Sequence, residues 1–380
     1  MQKQTVNRKN FFVFNLFLGF MIMGIGLLSC ENKKPIKIGF SGCLTGRLSD
    51  LGIAGRNGAL IAVEEINASG GIKGRPIELI VKDDKHDAQT AIRADQELID
   101  EGVVAIIGHM TSAMSIETLP LINKNKIVMI SPTTSTNKLT GIDDYFFRIN
   151  SPNRRKIMEF AGHAFHKMGI KTLSFLYDLS NKAYTEEYYR NYKFEFEKVG
   201  GKIIHAETFT SGQNINYLGI TQNAIKAAPD GMIIVGGAID TALICQQLKK
   251  MAFNRPILAT GWSRTDELIK HGGSAVEGIN FFSYFDEQSQ NKRYIEFRTE
   301  FKDRFGKYPD FAAAHSYEAI QLLKNVLISA ENFDDLKIHL QKQKTFEGLQ
   351  GMVEMDRYGD TIRKSFLRRV ENGKFVTVGD

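Results

Sequence analysis

The feature that most constrains the fold is a regular alternation of short apolar runs with longer amphipathic stretches, which begins at Ile36. The runs at 36–40 and 77–81 have the length of buried strands, whereas 54–68 carries its apolar residues at helical spacing. Continuously apolar strands that are separated by helices are typical of parallel sheets covered on both faces. The sequence therefore predicts an α/β fold built from βαβ units, with a glycine-rich loop at 41–52 after the first strand.

The alternation occurs in two successive halves, separated by the polar segment 150–153. We expect strands at 36–40, 77–81, 103–107, 127–130, 172–177, 202–206, 231–235 and 256–259, and short strands after 348. We expect helices at 54–68, 88–100, 115–123, 155–168, 185–199, 241–251, 292–305 and 312–330. A length of 380 residues fits two such domains. Because such sheets bind ligands at the carboxyl ends of their strands, the predicted site is the cleft between the domains.

The first thirty residues have the pattern of an export signal. Lys3, Arg8 and Lys9 precede a nearly unbroken apolar run at 11–28, which ends in Leu-Leu-Ser-Cys at 27–30. This ending resembles the bacterial lipobox, so we expect a signal peptide at 1–29, lipidation of Cys30, and a polar tether at 30–35. The run is also marginally long enough for a retained membrane anchor, and that alternative stays open.

The net charge of +6 does not indicate a nucleic-acid partner. Half of it comes from residues 1–29, and the rest is spread over the following 351 residues without a basic stripe. After Cys30 the chain has only Cys43 and Cys245, so no disulfide framework or zinc spacing is present, and a bridge between these two remains open.

Signals of catalysis are weak. The glycines at 39, 42 and 46 do not have dinucleotide-binding spacing. The acidic cluster at 83–87 lies where a strand ends and a helix begins, and Asp87 is a good N-cap, so we interpret the cluster as structural. His163 and His166 have no third ligand nearby in sequence. The sequence therefore predicts no enzymatic activity, cofactor or metal.

The segment 39–92 resembles the substrate-binding proteins of branched-chain amino acid ABC transporters, which are type I periplasmic binding proteins. Marker residues of that family occur in order along the mature chain: Thr45-Gly46, Glu65-Ile66-Asn67, Gly70-Gly71, Asp83-Asp84, Ile107-Gly108-His109, Ser131-Pro132, Phe147-Arg148, Tyr184, Gly236-Gly237 and Glu277-Gly278. The resemblance implies two Rossmann-like lobes joined by a three-strand hinge, with a cleft that closes on one small ligand. It implies interleaved lobes, 36–150 plus 284–346 and 151–283 plus 347–380, with hinge strands near 148–153, 281–286 and 345–351.

The predicted ligand site is rich in hydroxyl groups. The loops that follow the strands ending at 107 and 130 carry Thr111, Ser112, Thr133, Thr134 and Ser135. Hydroxyls and free backbone N–H groups beside a helix N-terminus suit a carboxylate, although such residues also serve as ordinary caps and turns. The resemblance implies that Ser112 and Ser135 bind the ligand carboxylate and that the Thr133 carbonyl faces its amino group.

From the second lobe, the resemblance places Tyr184 over the ligand, and Trp262 follows a strand end, where it would face the cleft or pack in the core. The chain also departs from leucine-binding members, which pair the ligand ammonium with a glutamate where this chain has 262–264. Asp240 is the candidate replacement, or a helix cap, and Arg264 would suit a second anionic group. Those members also bridge two cysteines at positions that correspond to His86 and Thr111.

These expectations converge on a lipid-anchored solute-binding protein of an ABC importer, which closes on a small carboxylate-bearing ligand. An amino acid is the first expectation, followed by an amide, a short organic acid or an aromatic acid. The alternative is a ligand-sensing receptor module. The expected partners are the transporter's permease subunits and the membrane, through the lipid, and the expected location is the cell envelope, facing the periplasm or the exterior.

Overall fold

The first sheet forms one lobe of the molecule, which we call lobe 1. The computed structural model describes residues 33–212 and 214–378, so the predicted signal peptide and Cys30 lie outside the described residues. The five strands of this sheet are parallel and lie in the order β2-β1-β3-β4-β5. They are β1 (Ile36–Gly42), β2 (Ile77–Asp83), β3 (Ala105–Ile107), β4 (Val128–Ser131) and β5 (Phe146–Arg148). The intervening helices are α1 (Ser49–Ala68), α2 (Ala88–Asp100) and α3 (Ser112–Asn125).

The second sheet forms lobe 2 and has seven strands in the order β15-β14-β10-β9-β8-β6-β7. Five are parallel, namely β6 (Thr172–Asp178), β7 (Lys202–Phe209), β8 (Gly231–Val235), β9 (Ile257–Thr260) and β10 (Asn280–Ser283). An antiparallel hairpin of β14 (Phe366–Glu371) and β15 (Lys374–Thr377) pairs with β10. The helices are α4 (Asn153–His166), α5 (Lys182–Lys198), α6 (Tyr217–Lys226), α7 (Ala238–Lys250) and α8 (Asp266–Gly272).

Between β10 and β14 the chain returns to lobe 1. It forms α9 (Lys292–Phe305), α10 (Phe311–Ser329), α11 (Leu336–Lys342) and a small antiparallel sheet of β11 (Thr345–Gly348), β12 (Gly351–Met355) and β13 (Thr361–Ile362). The chain therefore passes between the two sheets three times. The predicted α/β fold of two lobes is confirmed.

Close contacts of α1 with α10 and with the end of β1 explain two of its glycines. A Cβ at Gly58 would lie 2.0 Å from the carbonyl oxygen of Ala313, and one at Gly52 would lie 1.8 Å from that of Cys43. These glycines allow close approach of backbones, and they do not end the helix. The predicted loop at 41–52 is therefore too long, because the helix already begins at Ser49.

The third passage between the lobes follows the small sheet, which is bonded to lobe 1. The Arg148 guanidinium pairs with Asp360, Arg363 pairs with Glu318 of α10, and the Thr361 hydroxyl donates to the Ile149 carbonyl at 2.9 Å. These contacts hold the small sheet against lobe 1, and pairing with lobe 2 resumes only at Phe366. They favour a third hinge strand near 363–366, whereas the exact lobe and hinge boundaries remain a prediction.

Within residues 33–212 and 214–378, no helix is both long and apolar enough to cross a bilayer. The same residues contain no cluster of three or more histidine, cysteine or acidic side chains arranged to hold a metal ion. Cys43 and Cys245 are both buried free thiols.

Candidate functional site

The carboxyl ends of strands from both sheets face each other across one cavity. Most of the residues that line it follow β3, β4 and β5 on one side and β6, β9 and β10 on the other, and the rest belong to α1 and α10. The empty space, counted out to bulk solvent, is about 490 Å³. The lining residues are Leu51, Met110, Thr111, Ser112, Thr133, Ser135, Asn150, Lys156, Asn181, Tyr184, Gly261, Trp262, Ser283, Tyr284, Phe285, Phe311 and His315.

Two serines of lobe 1 offer hydroxyl groups to this cavity. Ser112 is the first residue of α3, and its Oγ accepts from the backbone N–H of Thr136 at 3.3 Å, which leaves its own proton free to donate. Ser135 follows β4, and its carbonyl accepts from the N–H of Asn153 at 3.0 Å. Its hydroxyl has no hydrogen-bond partner among the described residues. Because amides of a first helical turn have no acceptor within their helix, this part of the wall is rich in donors.

Two threonines of the same loops already have partners. The Thr133 hydroxyl donates to the Met110 carbonyl at 2.6 Å, and the Thr133 carbonyl accepts from Asn150 Nδ2 at 2.9 Å. The Thr133 carbonyl, which was predicted to face a ligand amino group, therefore already accepts one hydrogen bond from the protein, donated by Asn150. Thr111 Oγ1 lies 3.3 Å from His86 Nδ1, so the two positions that the resemblance associates with a cysteine bridge are in contact here.

Lobe 2 contributes an aromatic wall. Tyr184 of α5 and Trp262, which follows β9, meet edge to face with ring centroids 6.0 Å apart, and both rings are buried. Beside them, Asn181 Oδ1 accepts from the N–H of Ala113 in the first turn of α3 at 3.1 Å. The two predicted aromatic residues therefore lie on the same side of the cavity, opposite the serines of lobe 1.

Another part of the lining combines a lysine and a histidine with aromatic rings. Lys156 lies on the buried face of α4, with its ammonium 4.9 Å from the centroid of the Tyr284 ring. Burial, helped by the Arg264 charge, lowers the pKa of Lys156 to about 7. His315 of α10 donates from Nδ1 to the Pro132 carbonyl at 3.1 Å, so its Nε2 is an acceptor, and this atom has no partner among the described residues. Burial lowers the pKa of His315 well below its ordinary value, so the ring is neutral.

Thr134 and Asp240, two of the predicted site residues, do not line the cavity. The Thr134 hydroxyl is buried beneath it and pairs with Ser115 Oγ at 2.8 Å. Asp240 forms an ion pair with Arg47 at 2.9 Å and accepts from the hydroxyls of Ser211, at 2.6 Å, and Tyr217. With these partners Asp240 does not face a ligand ammonium, and none of the described lining residues is acidic.

Arg264 also lies behind the lining. Its guanidinium is fully buried, pairs with Glu287, and donates to Ser283 Oγ at 2.6 Å. Burial, together with the charge of Arg368, lowers the pKa of Arg264 to about 9. The sequence had suggested that Arg264 could bind a second anionic group of a ligand. An arginine with these protein partners is not free to do so.

The lobes are closed over the cavity by polar contacts around it. Asp50 Oδ2 accepts from Thr265 Oγ1 at 2.8 Å, and His86 Nε2 donates to the Ser180 carbonyl at 3.0 Å. Glu187 of α5 accepts from the backbone and side-chain N–H groups of Asn137 at 2.8 Å and 2.6 Å. Together with the ion pair of Arg47 and Asp240, these contacts join the first lobe to the second on several sides of the site.

The acidic cluster at 83–87 has the structural role that we expected. Asp87 caps α2 by accepting from the N–H of Thr90 at 2.9 Å. Asp84 and Asp95 lie 2.7 Å and 3.0 Å from the two ring nitrogens of His109, all three being buried. Burial alone would lower the pKa of His109, but Asp95 and Asp84 outweigh it and raise the pKa to about 10.

Several lining residues were missed from the sequence, above all Lys156 and His315. Both interrupt an otherwise apolar face. Lys156 shares the buried side of α4 with Ile157 and Phe160, and His315 follows Ala312–Ala314 in α10. A basic or titratable residue within an apolar helical stripe is the signal that could have identified them, because such side chains are rarely fully buried unless they are paired.

Comparison with known proteins agrees with this architecture. The sequence profile of the periplasmic binding protein family matches residues 35–374. The Leu-, Ile-, Val-, Thr- and Ala-binding protein of Pseudomonas aeruginosa is 24% identical over 352 residues, which cover 91% of this chain and 92% of that protein.

Solved structures are also similar. The leucine-binding protein of Thermotoga maritima superimposes with a TM-score of 0.84 at 26% identity, over 90% of this chain and 98% of that one. A solute-binding protein of R. palustris in complex with benzoate has a TM-score of 0.82 at 20% identity, over 91% of this chain and 96% of that one. The resemblance seen in the sequence is confirmed: the chain belongs to the periplasmic binding protein family, as a type I substrate-binding protein of the branched-chain amino acid ABC transporter group.

Proposed function

We propose that this protein is a lipid-anchored solute-binding protein of an ABC importer and that it closes on a small carboxylate-bearing ligand. The observation that carries the proposal is the donor-rich wall of Ser112 and Ser135 at the amino end of α3, inside a cavity between two lobes. A carboxylate there would accept hydrogen bonds from both hydroxyls and from backbone N–H groups. The family's relatives are solute-binding proteins, which supports binding without turnover.

The lining favours an acid over an α-amino acid. An ammonium group that is buried in a closed cleft needs an anionic partner, yet the lining residues that the structure describes include a lysine and no carboxylate. Relatives accept both kinds of ligand, since one is named for leucine and another was solved with benzoate. An acid that lacks the amino group therefore fits this chain better, and the aromatic rings of Tyr184 and Trp262 suit an apolar or aromatic body.

The test is a thermal-shift screen of the mature protein with matched pairs of acids and their primary amides, together with the α-amino acids. A ligand at a hundred times its dissociation constant stabilises the folded state by about 2.7 kcal/mol, which is easily detected. We expect stabilisation by at least one acid and none by its neutral amide. Stabilisation by amides and amino acids, with none by plain acids, would contradict the carboxylate site.

A further inference from the structure

Lys156 is a buried lysine that has no anionic partner among the described residues. The residue is 4% exposed and lines the cavity, and no carboxylate among the described residues pairs with its ammonium. Buried lysines are almost always paired, because taking an ammonium out of water without a counter-charge is costly. The lowered pKa of this lysine has the same cause, since only burial and the positive charge of Arg264 act on it.

The neighbours of Lys156 do not neutralise it. The face of the Tyr284 ring, whose centroid lies 4.9 Å away, gives a partial attraction. Arg264 repels it and directs its own guanidinium to Glu287 and Ser283. His315 is neutral and presents a lone pair, so it adds no charge of either sign. Lys156 is therefore the only side chain among the described lining residues that can carry a charge near neutral pH.

The lysine and the two serines are carried by different lobes. Ser112 and Ser135 belong to the loops after β3 and β4, whereas Lys156 projects from α4 of lobe 2, where it stands beside Tyr284 at the end of β10. A ligand held between the lobes thus has hydroxyl and amide donors from lobe 1 and an ammonium from lobe 2. Two sets of anion-binding groups on opposite lobes are matched by a ligand with two acidic groups.

We propose that the ligand is a dianionic acid, with one carboxylate held by Ser112 and Ser135 and a second acidic group held by Lys156. This inference rests on the proposed function, because it assumes that the first carboxylate lies at the serines. It narrows the substrate class to dicarboxylates, as distinct from amino acids and monocarboxylates. It also gives Lys156 the role of the specificity-determining residue for the second group.

The experiment is calorimetric titration of the mature protein with succinate, adipate, suberate and terephthalate, each compared with its monoamide. We expect at least one dicarboxylate to bind ten or more times as tightly as its monoamide. In Lys156→Met, and in Lys156→Gln as a second variant, that ratio is expected to fall below three while the monoamide retains its affinity. Lys182→Met, which removes an exposed lysine from the first turn of α5, is the matched control and should preserve the ratio.

Three results would overturn the inference. The first is a wild-type protein that binds dicarboxylates no more than threefold better than their monoamides. The second is a preference that survives in both Lys156 variants. The third is a monocarboxylate whose affinity depends on Lys156 and not on Ser112 and Ser135. If the inference fails but monoamides still bind, and this binding is lost in the double variant Ser112→Ala with Ser135→Ala, the proposed function stands. If no carboxylate binds at all, both the inference and the proposed function are refuted.

Discussion

The guanidinium of Arg47 lies 2.9 Å from the carboxylate of Asp240, so an ion pair joins the first loop of lobe 1 to the first turn of α7 in lobe 2. The sequence had suggested Asp240 as the partner of a ligand ammonium. The structure instead gives this buried carboxylate three protein donors, Arg47, Tyr217 and Ser211, and places it outside the cavity lining. Its role is then to stabilise the closed arrangement of the lobes.

Asp240→Asn should therefore weaken every ligand by the same factor, of about three- to tenfold, because it removes an interlobe ion pair with one buried partner. Calorimetry with acids and with any amino acid that binds measures this factor. Arg304→Met is the control, since Arg304 pairs with Glu64 inside lobe 1 and is 32% exposed, as Arg47 is. A loss confined to amino acids would restore Asp240 as a ligand contact.

A second prediction concerns Gly58, where α1 packs on α10. Gly58→Ala should destabilise the protein by about 1–3 kcal/mol, because the added Cβ would have to displace the backbone at Ala313. The midpoint of urea unfolding measures the change. Gly162→Ala, in the interior of α4 with no heavy atom within 4 Å of the added Cβ, should be neutral or stabilising by about 0.5–1 kcal/mol. Equal effects of the two substitutions would contradict the packing argument.

A third prediction is a loss of stability in alkaline solution that depends on His109. Burial opposes its protonation, but Asp95 and Asp84 raise the pKa of the folded state above 6.5, to about 10. The folded protein then holds a proton that the unfolded chain releases, so this stabilisation is complete below pH 6.5 and is lost as the pH rises toward 10. Thermal unfolding at intervals between pH 6.5 and 10 should show the decline, with a shallower slope in His109→Gln. Parallel slopes in the two proteins would refute this role.

The lipid anchor can be tested independently of the ligand site. Cys30→Ser should leave a precursor that is neither acylated nor cleaved before residue 30, because the acceptor thiol is gone. Metabolic labelling with a radioactive fatty acid, followed by mass measurement of the chain, distinguishes the products. Cys43→Ser is the control and should be acylated normally, since Cys43 is a buried thiol of lobe 1. Acylation of Cys30→Ser would exclude Cys30 as the lipid site.

The fold was largely predictable because most helices and strands correspond to a local sequence pattern that is long enough to recognise. Helices α2 and α9 and strand β8 have the predicted bounds, since each is a clean apolar run or stripe. Strand β5 was missed because only two of its three residues, Phe146 and Phe147, are apolar. Helix α6 was missed because only Thr221 and Ala224 of its ten residues are buried. The start of α1 was missed because glycines that serve close packing resemble a loop in the sequence.

The site was predictable only in part. Ser112 and Ser135 were predicted as hydroxyl residues that follow strand ends, Trp262 from its own place after a strand end, and Tyr184 from the family resemblance, and all four line the cavity. Asp240 was misplaced because its partner Arg47 is 193 residues away, and no local signal reveals such a contact. Lys156 was overlooked although it interrupts the apolar stripe of α4, and the sequence does not show that Tyr284, which follows β10, lies against its ammonium.

The most direct test of the carboxylate site is a calorimetric comparison of Ser112→Ala combined with Ser135→Ala against the wild-type protein, with the acid that stabilises it best. Each substitution removes a hydrogen bond to a charged group, so the account predicts a loss of affinity of at least about tenfold. Ser115→Ala, on the same helix but bonded to Thr134 beneath the cavity, should bind within about threefold of wild type. Unchanged affinity in the double variant would contradict the central claim that a carboxylate binds between these two serines.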